Sequence, residues 1–505
     1  MPVQLSYPGV YVEEIPSGVR TITGVATSIA AFVGWTPRGP VGAAGHIFGW
    51  GDYERRFGGL HRDSWVSYAV SHFFANGGQE AYIIRLADPE AGTAGAGVDD
   101  LRLTATGSGS WANDYGVDIR IREGTGTDAD NPARFSLTVF RRDPNDSARQ
   151  DLEVFADLSM AKDDARFVGS VVNEQSELVN AEDPADGTAI SESIGLMLID
   201  GTDGEVLQPG DPEFWAAAWP TDPDDDGRLG GVFHLDRVDL FNLLCVPGLT
   251  DLGNLELLAG FCRQRRAFLI ADGEETINEG TVTPVSGDSG INAAIYYPWV
   301  RLADPKAQGR LRTFPPSGVV AGVYARTDTS RGVWKAPAGT DASLTGVRSL
   351  SNTLTDPESG TLNKKGVNAL RTFSVYGNVV WGARTCRGND EIGSEWKYVP
   401  VRRTALFIEE SLRRSLKWVV FEPNDEPLWG QIRLNVGAFM NDQFRKGAFQ
   451  GATRQEAYYV KCDKETTTQS DINLGIVNIL VGFAPLKPAE FVVLKLQQMA
   501  GQVQA

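Results

Sequence analysis

The 505-residue chain is poor in the residues on which many enzymes and metal sites depend. It has only 4 histidines and 4 cysteines. The cysteines are far apart in the sequence, at Cys245, Cys262, Cys386 and Cys462. Without a Cys-x-x-Cys pair, this spacing indicates neither a zinc site nor a disulfide framework. Sparse cysteine is typical of a reducing cytosol, so we expect free thiols, no metal and no other cofactor.

Positive charge and long apolar runs are also in short supply. The 47 Lys and Arg residues are outnumbered by 65 Asp and Glu residues, which gives a net charge of −18. Nucleic acids and anionic membranes select basic surfaces, so we expect neither as a partner. No apolar run reaches the roughly 18 residues of a membrane helix, and no secretory signal is visible. We therefore expect no direct membrane insertion.

Catalytic and metal-binding motifs are incomplete. The loop at 287–290, Gly-Asp-Ser-Gly, resembles the nucleophile loop of chymotrypsin-like proteases, but no histidine has the sequence setting of their base. Asp222, Asp224 and Asp226 are spaced as at the start of a calcium loop. Phe233, however, stands where that loop needs a bidentate carboxylate. A turn and a solvated acidic loop explain these two segments better, and the sequence predicts no enzyme.

Glycine is abundant instead, with 56 residues, and Asp-Pro, Pro-Gly and Asp-Gly pairs recur. These pairs are typical of many turns and of much β structure. The length favours about three domains. Strand patterns such as SIAAFVG, EAYIIRL and RFSLTVFRR alternate with helix patterns along the chain. The fold class predicted is therefore a mixed α/β multidomain protein.

Three helices are predicted with defined ends or faces. The segment DSWVSYAVSHFFANGG is predicted to be a helix capped by Asp63 or Ser64. RTALFIEESLRRSLKWVVFEPN is predicted to be an amphipathic helix that Pro423 ends. The next helix has apolar residues on one face: Leu428, Ile432, Val436 and Phe439 or Met440. Strand patterns AYYVKC, IVNILVGF and EFVVLKLQQ then follow.

Strand patterns at both ends of the chain lie outside the compact units. Near the N-terminus, the side chains alternate with the two-residue period of a strand at Val10, Tyr11, Val12, Glu13 and Ile15. A turn or hinge signal follows at Pro16, Ser17 and Gly18. No partner strand follows at hairpin distance. The second such segment contains Phe491, Val492, Val493, Leu494 and Leu496.

Several segments resemble the contractile tail sheath family of myophages, R-type pyocins and extracellular contractile injection systems. The opening PGVYVEEIPSGVRTITGVATSIAAFVG is similar to the family's opening, and GSWANDYGVDIRI and LIDGTDG resemble the borders of its inserted β domain. The C-terminal half contains, in the family's order, PPSGVVAGVYARTDTSRGVWKAPAG, GVNALRTFSVYGNVVWGARTC, WKYVPVRRTALFIEESL, FEPND and LVGFAPLKPAEFVV. The resemblance spans almost the whole chain and is weakest over about 99–345.

The resemblance implies an inner α/β domain that is built from both chain ends, with outer domains inserted and strand arms at the termini. The expected segments are an N-terminal exchange arm at 1–20, the N-terminal half of the inner domain at 21–95, an outer β-rich domain at 96–200, a middle α/β domain at 201–355, the C-terminal half of the inner domain at 356–485 and a C-terminal exchange strand at 486–505. Each arm is expected to pair with the sheet of a neighbouring copy.

The function that the resemblance implies is mechanical. Subunits polymerise into a helical sheath around an inner tube, and contraction drives the tube through a target cell envelope. The implied partners are further copies, the inner tube protein, and baseplate and terminal cap proteins. Assembly is expected in the bacterial cytoplasm, within a particle that is released by lysis or held inside the cell.

Two groups of residues are assigned roles within this hypothesis. The segment Pro16, Ser17 and Gly18 is interpreted as a hinge that transmits contraction. Arg445 and Lys446 form a basic pair in an acidic chain and are candidates for contact with the tube. A solvated helix end, favoured by the helix dipole, is an alternative interpretation of this pair that is almost as good.

Two other functions stay open. A serine hydrolase would use Ser289 of the Gly-Asp-Ser-Gly loop, and a non-contractile surface-binding protein would hold a ligand in its β domains. Only a sheath subunit is expected to form hollow tubes after purification. The resemblance covers both phage tails and host-encoded injection devices.

Overall fold

The computed structural model describes residues 20–122, 133–143, 147–182, 190–223, 227, 229–276, 284–285 and 287–496. These residues divide into two compact units. The large unit contains Thr27–Ser330 and Pro337–Val399, and the small unit contains 20–26, Arg331–Ala336 and 400–496. Each unit combines helices with strands, which confirms the mixed α/β class predicted from the sequence.

The strands and helices are numbered in chain order. The strands are β1 Ala30–Trp35, β2 Gly45–Ile47, β3 Ala81–Leu86, β4 Gly95–Val98, β5 Leu101–Ala105, β6 Tyr115–Ile121, β7 Phe135–Arg142, β8 Arg149–Leu158, β9 Val179–Ala181, β10 Ile194–Met197, β11 Leu243–Cys245, β12 Phe268–Asp272, β13 Ala293–Tyr297, β14 Val300–Asp304, β15 Arg310–Phe314, β16 Ser349–Leu350, β17 Val367–Phe373, β18 Gly377–Val380, β19 Tyr458–Lys461 and β20 Leu480–Phe483. The helices are α1 Trp50–Phe57, α2 Trp65–Ala75, α3 Val168–Gln175, α4 Pro212–Ala218, α5 Leu252–Arg265, α6 Ser317–Arg331, α7 Asp356–Lys365, α8 Val399–Ser415, α9 Glu426–Arg445, α10 Arg454–Ala457 and α11 Gln469–Asn473.

The large unit is built on an eight-stranded sheet in the order β18-β17-β13-β12-β11-β1-β3-β2. Its inner strands are parallel, and β2 and β18 pair antiparallel at the two edges. β1, β11, β12 and β13 are buried along their whole length. A parallel sheet with both faces covered requires such continuous apolar strands, which explains why these segments show no alternation with polar residues.

Helices cover both faces of this sheet. On one face, Phe32 of β1 contacts Phe73 of α2, with ring centroids 5.5 Å apart. α6 packs so closely on α2 that a Cβ at Gly318 would lie 2.4 Å from the carbonyl oxygen of Ala69. On the other face, the core joins side chains of β1 and β12 to those of α5, including Leu258.

This sheet differs from the domain arrangement that we expected. β1 to β3 lie within 21–95, β11 to β13 within 201–355, and β17 and β18 within 356–485, yet all of them share one sheet. Ala30 pairs with Leu243 on one side and with Ala81 on the other. The expected borders after residues 200 and 355 therefore cut across one structural unit, and the chain divides near 400 instead. Apolar strand patterns reveal that a strand is buried but not which strands are its neighbours.

The β-rich segment of the large unit has a core of its own. Two sheets, β10-β6-β7-β8 and β4-β5-β9, pack with α3. The buried apolar residues of this core all fall between Ala94 and Leu198. An inserted β-rich domain at 96–200 stays a prediction, since the segment belongs to the large unit.

The small unit is built around α8 from residue 400, α9, and the two-stranded sheet of β19 and β20. Asp425 caps α9, since its carboxylate accepts a hydrogen bond from the Leu428 amide. The predicted apolar face of α9 is buried. α8 ends at Ser415, before the predicted stop at Pro423, and a 3-10 turn at Lys417–Val419 follows it. No helix in the described ranges is both long and apolar enough to span a membrane.

Candidate assembly surface

The two-stranded sheet of the small unit offers an edge to which another strand can add. β19 and β20 pair antiparallel, with Tyr458 opposite Phe483 and Lys461 opposite Leu480. Among the residues that the structure describes, no third strand joins this sheet. Unpaired strand edges present free N–H and C=O groups and are ready templates for a further strand.

The small unit holds this sheet firmly in place. The Tyr458 hydroxyl donates to the Gly437 carbonyl of α9 at 3.3 Å, and the guanidinium of Arg433 donates to the carbonyl of Cys462. After β20, the Ala484 amide donates to the Ala457 carbonyl at 2.8 Å. The sheet therefore rests on a helix and forms a preorganised platform.

The chain leaves this platform in an exposed apolar segment. The C-terminal segment that we expected to exchange has side chains that are 73 to 96% exposed, at Phe491, Val492, Val493, Leu494 and Leu496. No described strand pairs with these residues, and the predicted strand is absent. A single strand gains no ladder hydrogen bonds, so it does not form without a partner. Pairing with another copy stays a prediction.

The N-terminal candidates lie outside the described residues. These are Val10, Tyr11, Val12, Glu13 and Ile15 of the arm and Pro16, Ser17 and Gly18 of the hinge. The described chain begins at Arg20, which is anchored in the small unit. The Arg20 amide donates to Asn435 Oδ1 at 3.1 Å, and its guanidinium lies over the Trp418 ring at 4.6 Å. Ile22 is buried in the same core.

Arg445 and Lys446 lie at the C-terminal end of α9, and both are exposed. Lys446 Nζ is 2.7 Å from Asp442 Oδ2, and each of these side chains is more than half exposed. An exposed ion pair of this kind contributes at most about 1 kcal/mol. The carboxylate lowers the local positive charge, which weakens the argument for a basic tube contact. Sequence reasoning missed Leu434, which is 55% exposed on the same helix.

Three of the four histidines contact residues other than the Gly-Asp-Ser-Gly loop. Ser289 lies in a 3-10 turn at Asp288–Asn292 that leads into β13. His46 is 2.8 Å from Glu80, which immediately precedes β3, and the His61 ring packs on Trp35. His72 is buried against Phe314, and burial lowers its pKa to about 4. A general base must lie within hydrogen-bond reach of its nucleophile, and these rings are engaged elsewhere.

The remaining chemical candidates are the acidic loop and the four cysteines. Asp224 and Asp226 of the acidic loop lie outside them. In the described residues, no cluster of three His, Cys, Asp or Glu side chains is placed to hold a metal. All four cysteines are buried free thiols, and burial raises the pKa of each. Low-reactivity thiols of this kind are structural.

Comparison with known families gives two matches. A family model for the phage tail sheath protein central domain matches residues 238–386. A family model for the phage tail sheath C-terminal domain matches residues 391–498. Together the two matches cover about half of the 505 residues.

Individual relatives extend this comparison. The tail sheath protein of Vibrio phage KVP40 is 26% identical over 191 residues, which are 37% of this chain and 27% of that protein. The match thus spans about a quarter of that relative's length. The helical sheath of the anti-feeding prophage (AFP) in the contracted state is 26% identical with a TM-score of 0.60, over 98% of this chain and 100% of that one. The PVC sheath complex of an extracellular contractile injection system, also contracted, is 23% identical with a TM-score of 0.59, over 98% of each chain.

Proposed function

Because this chain belongs to the phage tail sheath protein family, we propose that it is a structural subunit of a contractile sheath. Copies polymerise into a helix around an inner tube, and contraction of the helix drives the tube through a target cell envelope. The observation that carries this proposal is the similarity to the contracted AFP sheath along 98% of the chain. The subunit acts through shape change and assembly and needs neither a catalytic site nor a cofactor.

Assembly proceeds by strand exchange between copies. The C-terminal strand of one copy, Phe491 to Leu496, adds to the edge of β19 or β20 in a neighbour, and the N-terminal arm from Val10 to Ile15 adds to another neighbour. Each net hydrogen bond contributes about 1 kcal/mol, and each buried Val, Leu or Phe about 1.5–3 kcal/mol. Ordering the backbone costs about 1–2 kcal/mol per residue, so one arm alone is close to break-even. Two arms raise the effective concentration of every further contact.

The sequence of the C-terminal segment also indicates which of its faces are covered in the assembly. In an extended chain, Phe491 and Val493 face one way, whereas Val492, Leu494 and Leu496 face the other. Apart from Lys495 near its end, both faces are apolar, unlike those of a strand with one solvated face. The segment must therefore be covered on both faces, by the core of the receiving unit and by a further element of the assembly.

The other roles follow the same proposal. Pro16, Ser17 and Gly18 act as the hinge of the N-terminal arm, and Arg445 and Lys446 contact carboxylates of the inner tube protein. Baseplate and terminal cap proteins bound the two ends of the helix. The subunit assembles in the bacterial cytoplasm, in a phage tail or a related particle that is released by lysis or held in the cell.

Negative-stain electron microscopy of the purified protein, alone and with its inner tube protein, tests the proposal. Hollow tubes tens of nanometres long or longer are expected, because a head-to-tail interface that does not close produces an open helix. A hydrolase or a surface-binding protein would stay in small particles. A protein that remains monomeric under both conditions would contradict the sheath function.

A further inference from the structure

The loop between α8 and α9 contains a tight turn with an unexpected residue. The Glu422 amide donates to the Val419 carbonyl at 3.2 Å, which closes the turn. Val420 has φ −67° and ψ 129°, and Phe421 has φ +71°. These angles define a type II turn whose third position requires a positive φ. Glycine or asparagine normally fills that position, because a bulky side chain is strained there.

Nothing in the described chain offsets this strain. The side chain of Phe421 is fully exposed, at 102%, and that of Val420 is 62% exposed. A non-glycine residue in the left-handed region costs on the order of 1–3 kcal/mol. An aromatic ring in water adds no packing that would compensate. A strained and fully exposed aromatic side chain of this kind is typical of a functional contact surface.

The turn is held rigidly on both sides. Before it, Trp418 packs in the small-unit core beneath the guanidinium of Arg20. After it, Asn424 Oδ1 accepts from the Trp429 indole at 2.9 Å, and Asn424 Nδ2 donates to the Ile476 carbonyl at 2.9 Å. The backbone of the turn is thus fixed before any partner binds. Binding through Phe421 therefore needs little further loss of loop entropy.

The loop that Asn424 contacts extends the exposed apolar surface. Leu474 is 71% exposed and Ile476 is 42% exposed. We call Val420, Phe421, Leu474 and Ile476 the Phe421 patch. The same loop runs on into β20, whose Leu480 is 50% exposed. Exposed apolar side chains on two loops that a hydrogen bond from Asn424 joins are typical of an interaction surface.

We propose that the Phe421 patch is an anchor by which one copy of the chain binds a second copy, an inference that rests on the proposed sheath function. The loop of Leu474 and Ile476 leads into β20, the strand that we propose pairs with a neighbour's strand. A chain with a net charge of −18 repels its own copies, so contacts between copies require apolar anchors. Glu422 and Asp425 beside the patch oppose an anionic membrane as the occupant.

The variant Phe421→Asn separates anchoring from folding. Asparagine tolerates the positive φ, so the melting temperature is expected to stay unchanged or to rise. Loss of the ring is expected to raise the protein concentration needed for polymerisation about tenfold or more, as for a central interface residue. Sedimentation of tubes against protein concentration measures this. Val375→Asn is the matched control, since Val375 is 81% exposed in the large unit. This variant should polymerise at the parent's concentration.

Cross-linking identifies the occupant. A photoreactive phenylalanine analogue at position 421 is expected to give covalent dimers of this chain when tubes are irradiated. Cross-links to the inner tube protein alone would overturn the second-copy assignment. Polymerisation of Phe421→Asn at the parent's concentration, or an equal loss in the control, would overturn the anchor. Tube assays of the parent protein test the sheath function separately. If the parent forms no tubes, the sheath function is wrong as well.

Discussion

Gly92 and Thr202 are 110 residues apart in the chain and are joined by two hydrogen bonds. The Gly92 amide donates to Thr202 Oγ1 at 2.7 Å, and the Thr202 amide donates to the Gly92 carbonyl at 3.1 Å. The β-rich segment between them thus departs from and returns to the rest of the large unit at one point. Its apolar core contains only its own residues, from Ala94 to Leu198.

Deletion of 93–201, with a short Gly-Ser link in its place, is therefore expected to give a folded protein. The eight-stranded sheet keeps all its strands, and Arg85 loses only the Ser108 carbonyl among its three carbonyl partners. Circular dichroism and a cooperative melt measure this. A contrasting deletion follows the domain borders that we expected and joins about residue 95 to about residue 350. It removes β11 to β13 from the middle of the sheet, so the resulting protein should not fold. A folded protein from the second deletion, or none from the first, would contradict this interpretation.

The C-terminal segment should be needed for assembly and not for folding. Val492 and Leu494 are more than 80% exposed, so replacing both with Ser removes little packing from the small unit. The double variant is expected to melt within about 1 °C of the parent, because surface substitutions rarely shift stability by more than about 0.5 kcal/mol. It should form no tubes by electron microscopy. Normal tubes, or a large fall in melting temperature, would refute the strand-exchange role.

The N-terminal arm should transmit contraction as a tether of fixed length. Removal of Met1 to Gly18 is expected to leave a soluble, cooperatively melting protein without tubes. Insertion of three residues after Gly18 adds about 10 Å of slack. Such sheaths should assemble on tubes but contract poorly after mild urea or acid treatment, scored as the contracted fraction by electron microscopy. Contraction equal to the parent's would mean that rings communicate through other surfaces.

Charge reversal tests the tube contact. Arg445→Glu with Lys446→Glu is expected to reduce co-purification with the inner tube protein several-fold, since like charges then oppose each other. The matched control is Lys364→Glu with Lys365→Glu, another basic pair in the last turn of a helix, on the large unit. An unchanged yield, or the same loss in the control pair, would show that the α9 pair is only a solvated helix end.

Asp272 should make the stability of the large unit depend on pH. Its buried carboxylate accepts hydrogen bonds from the Gly248 amide at 2.9 Å and from the Ser317 amide and hydroxyl at 2.7 and 2.8 Å. Burial raises its pKa from 3.8 to about 7. Between these values the folded state holds a proton that the unfolded state releases, so rising pH removes about 1.4 kcal/mol per unit from the free energy of unfolding.

Melting curves of the parent and of Asp272→Asn between pH 5 and 7 measure this dependence. The variant is expected to be less stable overall, because both carboxyl oxygens of Asp272 face hydrogen-bond donors, and the amide nitrogen that replaces one of them cannot accept. Its melting temperature should nevertheless fall less with rising pH than the parent's does. Parallel pH profiles would show that Asp272 does not titrate in this range.

Features encoded within a few neighbouring residues were predicted correctly from the sequence. Ser64 caps α2 as expected, since its side chain accepts from the Ser67 amide. The apolar face of α9 follows the helical period and is buried. The mixed α/β class and the family also followed from local motifs, because caps, periodicity and turn residues act over one or two helical turns.

The tertiary structure alone decided which distant segments meet. The segment YYPWVRLADP has the apolar pattern of one strand, but it divides at Pro298, which lacks a ladder donor, into β13 and β14 of different sheets. The positive φ of Phe421 depends on anchors at Trp418 and Asn424 that flank its turn. Strand neighbours and domain borders depend on contacts between residues hundreds of positions apart, which local patterns do not record. The exposed segment from Phe491 to Leu496 finds no partner strand in the described chain, and its pairing with a second copy stays a prediction.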